Sequence, residues 1–237
     1  MKIAIIPARG GSKRIPRKNI RLFAGKPIIG YSIETAIGSD LFDEVIVSTD
    51  DQEIADVANF FGAKTPFLRP KELSGDHTPT LPVIRHAIQH FETGAGNVHL
   101  ACCIYPTAPF LSTENLTAGC RLLEHDRHAE FAFSVTSFCF PIFRSLKLEG
   151  DRVSMLWPEH EATRSQDLPE VFHDAGQFYW GTRDAFLHAS GVYSAHAKGV
   201  VLPRHLVQDI DTEEDWVRAE QMFFAHLATL KGDDACS

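Results

Sequence analysis

The chain has 237 residues, 44% of them hydrophobic, and its 23 Lys and Arg face 31 Asp and Glu for a net charge of −8. That length suits one large domain with a substantial core. The acidic balance argues against a general nucleic-acid binder, and no apolar run approaches the roughly 20 residues of a membrane span. The five cysteines include no CxxC pair, and the chain enters a strand directly without a secretory pattern, so a cytoplasmic protein in a reducing compartment is the expectation.

Residues 3–6 form a short apolar run suited to a strand buried on both faces. The run opens into a loop with Gly10, Gly11 and Pro16, and six cations stand between Arg9 and Arg21. Adjacent glycines let backbone approach a ligand closely and aim successive N–H groups at an anion. A solvated basic loop has the same composition, but in an acidic protein the paired glycines favour an anionic ligand. The loop is neither GxGxxG nor a Walker pattern. Pro16 also obstructs a helix launched from the glycines. An extended path around phosphates is expected, with Lys13 and Lys18 reaching in from separate points.

Further along, Pro27 opens a helix with Ile28, Ile29, Ile33, Ala36 and Ile37 on one side, closing near Gly38. Residues 44–49 read as a strand, 50–61 as a helix ended by Gly62, 64–68 as a weaker strand, and 80–91 as a helix. A buried strand over 98–105 stops at Pro106-Thr107-Ala108-Pro109, with Cys102 and Cys103 on opposite faces. Ser112 is a plausible N-cap for a helix to His125, and 131–136 is another strand. This order predicts a single α/β domain over 1–237, Rossmann-like, with a mostly parallel central sheet and helices on both faces. Ligands in such folds sit at the carboxyl ends of the strands, where the basic loop, Ser48-Thr49-Asp50 and Tyr105-Pro106-Thr107 all fall.

Residues 137–178 break the rhythm. Phe138, Phe140, Phe143, Trp157, Phe172 and Phe178 lie among short strand-like pieces. A lid, a substrate platform, an oligomer interface and an ordinary β-extension all fit that composition. The chain then returns to strand at Gln177, and a last helix over 212–230 is expected to bury Trp216, Val217, Phe223, Leu227 and Leu230, with a loose tail after Lys231.

Asp209-Ile210-Asp211 precedes that helix. Carboxylates at alternate positions of an extended segment project to one side, which suits Mg²⁺ held between protein and phosphate oxygens. Asp211-Thr212-Glu213-Glu214 also reads as a capping box with Asp211 as N-cap, and spacing alone does not choose. His86 and His90 lack the Glu of HExxH, and no GxSxG elbow marks a serine nucleophile. Arg164, in Thr163-Arg164-Ser165-Gln166, is either a carboxylate-binding guanidinium or a surface arginine.

Together these motifs make a resemblance. Ala8-Arg9-Gly10-Gly11-Ser12-Lys13, with Pro16, Lys18 and Asn19, resembles the signature loop of the acylneuraminate cytidylyltransferases, the CMP-sugar synthetases for nonulosonic acids. The similarity spans nearly the whole chain and includes Val47-Ser48-Thr49-Asp50, Leu68-Arg69-Pro70 and Asp209-Ile210-Asp211. Tyr105 stands where the sialic-acid branch has Gln, and Asp174–Trp180 replaces its Asn-Gly-Ala segment, so the chain is more similar to the pseudaminic acid branch.

The resemblance implies transfer of CMP from CTP to a nonulosonic acid, with Mg²⁺ and release of pyrophosphate. It implies that Arg9, Lys13 and Lys18 hold the triphosphate, positioned by Ala8, Gly10, Gly11, Ser12 and Asn19, while Asp209 and Asp211 bind the metal. Arg69, Thr80, Tyr105, Pro106 and Thr107 would line the cytidine pocket, and Arg164, Gln166, Asp174, Gln177 and Phe178 would face the sugar. It implies a homodimer built through the insertion. Alternatives are a cytidylyltransferase for N-acetylneuraminate or another keto-deoxy sugar acid, and a catalytically inactive nucleotide-binding scaffold.

Overall fold

The computed structural model describes residues 1–94 and 96–234. Strand β1 (Lys2–Pro7) buries Ile3, Ala4, Ile5 and Ile6 completely, as a central strand must. A hairpin of β2 (Leu22–Phe23) and β3 (Lys26–Pro27) then turns through Ala24 and Gly25, both at positive φ. Helix α1 (Ile28–Gly38), strand β4 (Glu44–Ser48) and helix α2 (Gln52–Phe60) follow. Next come α3 (Thr80–Glu92), β5 (Leu100–Ile104), α4 (Thr113–His125), whose N-cap is Ser112, and β6 (Phe131–Ser137). The insertion carries a hairpin of β7 (Leu146–Glu149) and β8 (Arg152–Met155). The chain re-enters the sheet as β9 (Phe172–Thr182) and ends with α5 (Arg183–His188), β10 (Ala197–Val201) and α6 (Glu213–Asp234).

The six-stranded sheet has the order β10-β6-β9-β5-β1-β4. Every neighbouring pair is parallel except those of β9, which runs antiparallel to both β5 and β6. Alternation divides the core. Ala4, Ile6, Cys102 and Ile104 pack beneath α1, α2 and α4, whereas Ile3, Ile5, Ala101 and Cys103 pack beneath α3 and α5. A third cluster joins Ile15 and Phe23 of the N-terminal loop and hairpin to Ile210, Trp216 and Phe223 at the other end of the chain. It fastens the basic loop to the start of α6.

Four expectations are corrected. Residues 64–68 make only single bridges, Lys64 to Ile46 and Leu68 to Thr49, because Pro66 has no N–H to continue a ladder. Residues 172–178 belong to β9, so the insertion is 138–171; Ser137 of β6 pairs with Phe172 and extends the main sheet. Val217 is half-exposed because it is turned off the face that buries Trp216, and Leu230 is half-exposed because it lies on that face but past Phe223 and Leu227, where the core cluster ends. The tail expected after Lys231 begins inside α6, which continues to Asp234, and its remainder lies outside the described residues.

Candidate active site

At the carboxyl ends of β1, β4 and β5 lies a cleft of about 470 Å³. Backbone geometry fixes the loop that forms its floor. Ala8 N–H donates to the Ser48 carbonyl at 2.9 Å, Gly10 N–H to Asp50 Oδ1 at 3.0 Å, and Asn19 Nδ2 to the Arg9 carbonyl at 2.9 Å. Arg17, left-handed at φ 56°, donates to both carboxylate oxygens of Asp51, which also caps α2 by accepting from Ile54 N–H. The two glycines serve differently from one another. The Gly10 N–H is engaged by Asp50 and the Ser12 N–H by the Gly10 carbonyl, so neither is free for an anion. A Cβ on Gly10 would stand 2.6 Å from Asp51 Oδ2, whereas one on Gly11 would meet nothing within 4 Å. Ala8 is fully buried and supports the loop from beneath.

Five cations and two carboxylates line the cleft: Arg9, Lys13, Arg14, Lys18 and Arg69 against Asp76 and Asp211. Arg9 and Lys13 both bind Asp76, whose carboxyl they pull down to about 2. Arg14 and Lys18 reach Asp211 at 2.9 and 3.4 Å, and Lys18 Nζ also donates to the Ile210 carbonyl at 2.7 Å. Arg69 is different. It is buried, its nearest carboxylate oxygen, on Asp50, is 3.8 Å away, and its Nε and Nη2 lack hydrogen-bond partners among the described residues. Burial pushes its guanidinium below the usual value, yet arginine stays charged. Such a group is an unmet demand for acceptors at the cleft wall. Ser12, Asn19, Thr80, Tyr105, Pro106 and Thr107 complete the wall, with Tyr105 Oη 3.4 Å from Thr80 Oγ1.

Of the two roles that spacing allows Asp211, the structure decides the cap. The start of α6 is capped by Thr212 and Asp215, not by Asp211: Thr212 Oγ1 accepts from Asp215 N–H at 3.2 Å, and Asp215 Oδ2 accepts from Thr212 N–H at 2.8 Å. That leaves the Asp211 carboxylate to the cleft. Asp209 is open to solvent on one side but crowded by protein on the other, and this burial, followed by the Asp211 charge, pushes its carboxyl up. Among the described residues it makes no ion pair, although the Lys18 charge nearby partly offsets that rise.

A second cavity, of about 280 Å³, adjoins the first across Thr80 and Tyr105. Leu81, Cys103, Phe186 and Val192 give it apolar walls, and Asp174 lies at its polar side, accepting from Tyr179 Oη at 2.6 Å and Tyr193 Oη at 2.7 Å. Burial pushes the Tyr179 phenol far up, so it stays a donor. The other residues expected at the sugar are elsewhere. Phe178 is fully buried under α4, where it and Trp180 pack against Gly119, because alternation along β9 turns it inward. Gln177 is buried and donates from Nε2 to the Leu206 carbonyl at 2.6 Å, tying β9 to the segment that leads to Asp209. Arg164 is exposed in the insertion and pairs with Asp167 at 2.7 Å, with Gln166 beside it, and neither lines the cleft. Sequence reasoning missed Asp76, Thr78 and Tyr193. Asp76 sits in an irregular turn without periodic signal, and only its approach to Arg9 and Lys13 marks it.

Sheet order and cleft together define an α/β protein with a cationic pocket at the carboxyl edge of a mostly parallel sheet, lined by the carboxylates of Asp76 and, from the far end of the chain, Asp211; Asp209 stands beside Asp211 but does not line the cleft. The chain belongs to the cytidylyltransferase family, whose model matches residues 3–223. It is 46% identical to the pseudaminic acid cytidylyltransferase of Campylobacter jejuni subsp. jejuni serotype O:2, over 90% of this chain and 92% of that one. It is 30% identical to the CMP-N,N'-diacetyllegionaminic acid synthase of Legionella pneumophila, over 93% and 95%. Among solved structures, CMP:2-keto-3-deoxy-manno-octonic acid synthetase complexed with CTP superposes with a TM-score of 0.69 at 16% identity, over 95% of this chain and 99% of that chain, which speaks for the fold. No described helix is long and apolar enough to cross a membrane.

Proposed function

We propose that the protein transfers the cytidylyl group of CTP to the anomeric hydroxyl of a nonulosonic acid, pseudaminic acid in the first instance. The hydroxyl oxygen bonds to the α-phosphorus, the bond from that phosphorus to the β-phosphate oxygen breaks, and pyrophosphate leaves. The observation that carries this reading is the gathering of Arg9, Lys13 and Lys18 around one cleft with Asp211, in a chain 46% identical to a pseudaminic acid cytidylyltransferase; Lys18 reaches Asp211 itself, and Arg9 and Lys13 reach Asp76.

Roles follow from position. Arg9, Lys13 and Lys18 hold the triphosphate and take up charge on departing pyrophosphate, an effect strengthened where protein displaces water. Arg69 offers its unpartnered nitrogens to acceptors of the cytosine ring or ribose. The sugar acid occupies the second cavity, next to the reacting phosphate, where Asp174, Tyr179 and Tyr193 supply polar contacts beside apolar walls.

Asp209 and Asp211 fit a Mg²⁺ ion: both are hard oxygen donors, and the proton affinity that crowding raises at Asp209 falls once a cation is near. No cluster of three or more potential metal ligands exists among the described residues, so water and phosphate would complete the coordination. The ion, when bound, polarises the α-phosphate. We further propose a cytoplasmic homodimer that covers the insertion, where Phe140, Leu146, Leu148 and Val153 are largely exposed.

The test incubates the protein with CTP, Mg²⁺ and, separately, pseudaminic, N,N'-diacetyllegionaminic, N-acetylneuraminic and 2-keto-3-deoxy-manno-octonic acids, and follows pyrophosphate release. Release fastest with pseudaminic acid is the expected result. Preference for another acid overturns the substrate, and no release with any of them overturns the reaction.

A further inference from the structure

Among the described residues every cation lining the cleft has a carboxylate within hydrogen-bond reach, apart from Arg69, whose nearest, on Asp50, is 3.8 Å away. Asp211 serves Arg14 and Lys18 from a segment anchored by the buried Ile210 and the cap of α6. Asp76 serves Arg9 and Lys13, one carboxylate oxygen to each, and its setting is unlike that of Asp211. It stands in the turn Ser74-Gly75-Asp76-His77-Thr78, where Gly75, Asp76 and His77 are exposed. Among the described residues the hydrogen bonds of that turn are otherwise local: Thr78 N–H to the Gly75 carbonyl at 3.2 Å and Ser74 Oγ to the Pro70 carbonyl at 2.9 Å. Its long-range polar tether is the Asp76 carboxylate on the basic loop.

We infer that Asp76 is a displaceable internal anion, which holds Arg9 and Lys13 in position when the cleft is empty and gives up both to the triphosphate when nucleotide enters. The inference rests on the reading of the cleft as a triphosphate site. Two long cationic side chains without an anion between them repel one another and sample many rotamers; a shared carboxylate limits both costs before substrate arrives. The same carboxylate must then leave. Its negative charge stands where phosphate oxygens would stand, and like charges at contact distance do not share two cations. Nothing but side chains of an exposed turn has to move. The low proton affinity of Asp76 means that it competes as a full charge throughout the neutral range. Asp76 is thus a positioning residue and a competitor, and its effect falls on nucleotide binding instead of on the chemical step.

Calorimetric titration of wild type, Asp76→Asn and Asp76→Ala with CTP and with inorganic tripolyphosphate, without sugar acid, tests this. Loss of two partly exposed ion pairs that bound anion must break predicts about three- to tenfold tighter binding of both ligands by the variants at low salt, with the gain shrinking as salt rises. Weaker or unchanged binding by folded variants overturns the inference, since it means that Asp76 supports the anion site without competing. Hydrogen exchange on the wild-type protein needs no variant. Amides of residues 75–78 should exchange faster with tripolyphosphate bound, as the turn loses its tether; slower or unchanged exchange overturns the inference as well. Tripolyphosphate that binds and releases the turn while CTP does not bind sinks the nucleotide reading and leaves the displaceable anion standing. Failure of both ligands to bind wild type overturns both.

Discussion

Arg17 grips Asp51 through Nη1 and Nη2, at 2.5 and 3.1 Å, and so holds Asp51 Oδ2 2.6 Å from where a side chain on Gly10 would begin. The pair explains why two adjacent glycines are not equivalent. Gly10→Ala has to push aside a carboxylate that is held by a guanidinium and also caps α2. Gly11→Ala enters open space at negative φ. Gly10→Ala is therefore expected to lower kcat/KM by about tenfold or more while Gly11→Ala stays within about twofold of wild type. Equal effects would mean that the loop is not pinned by this contact.

The same ion pair gives a pH signature. Arg17 pulls the Asp51 carboxyl below its ordinary value. A carboxyl depressed by folding adds stability above its unfolded pKa of about 3.9, and that addition fades as pH falls through the folded value. Asp51→Asn keeps an N-cap and loses the charge, so at pH 7 it should cost about 1 kcal/mol, discounted for the partial exposure of both partners. The difference from wild type in urea unfolding should shrink below about pH 4. A difference independent of pH would place the effect in the cap.

Asp211 and Asp215, four residues apart, have separable tasks. Asp215→Ala removes the cap of α6 and should cost about 1 kcal/mol of stability with turnover retained. Asp211→Ala leaves that cap intact and should abolish Mg²⁺-dependent turnover with little change in Tm. If Asp211→Ala leaves the Mg²⁺ dependence of pyrophosphate release unaltered, the aspartate pair is not the metal site.

Lys13 is the most exposed of the cleft cations, at 81% of its side chain, so its truncation removes no packing. Lys13→Ala should reduce turnover by about a hundredfold or more with Tm unchanged, as for a charge aimed at the developing transition state. Near-normal kcat would transfer that role to Lys18 or Arg9.

Arg69 should behave in the opposite sense. Its buried, poorly partnered guanidinium costs stability, so Arg69→Met is expected to leave Tm equal or higher. The KM for CTP should nevertheless rise by about tenfold. A fall in Tm together with an unchanged KM would make Arg69 a structural residue.

Much of this molecule was legible in residue order. Continuous apolar runs at 3–6 and 100–104 marked central strands, because burial on both faces leaves no polar alternation. The β–α order predicted a mostly parallel sheet and placed the basic loop at its carboxyl edge, and the motif resemblance pointed to the family that the comparisons establish. These are local signals, set by periodicity and backbone chemistry within a few residues. The tertiary structure decided what depends on residues far apart in the chain. An irregularity in β9, where its register against β6 shifts between Phe133 and Val135, put Phe178 in the core and Asp174 on the opposite side at the second cavity, whereas unbroken alternation would have set both on one face. Thr212 and Asp215 took the cap and freed Asp211 for Lys18, 193 residues away. Arg9 and Lys13 met Asp76 only because the turn before α3 folds over the loop after β1. Spacing can nominate a charge for a site, but which opposite charge it meets is fixed by topology and packing, since Coulomb attraction follows distance in space and not along the chain.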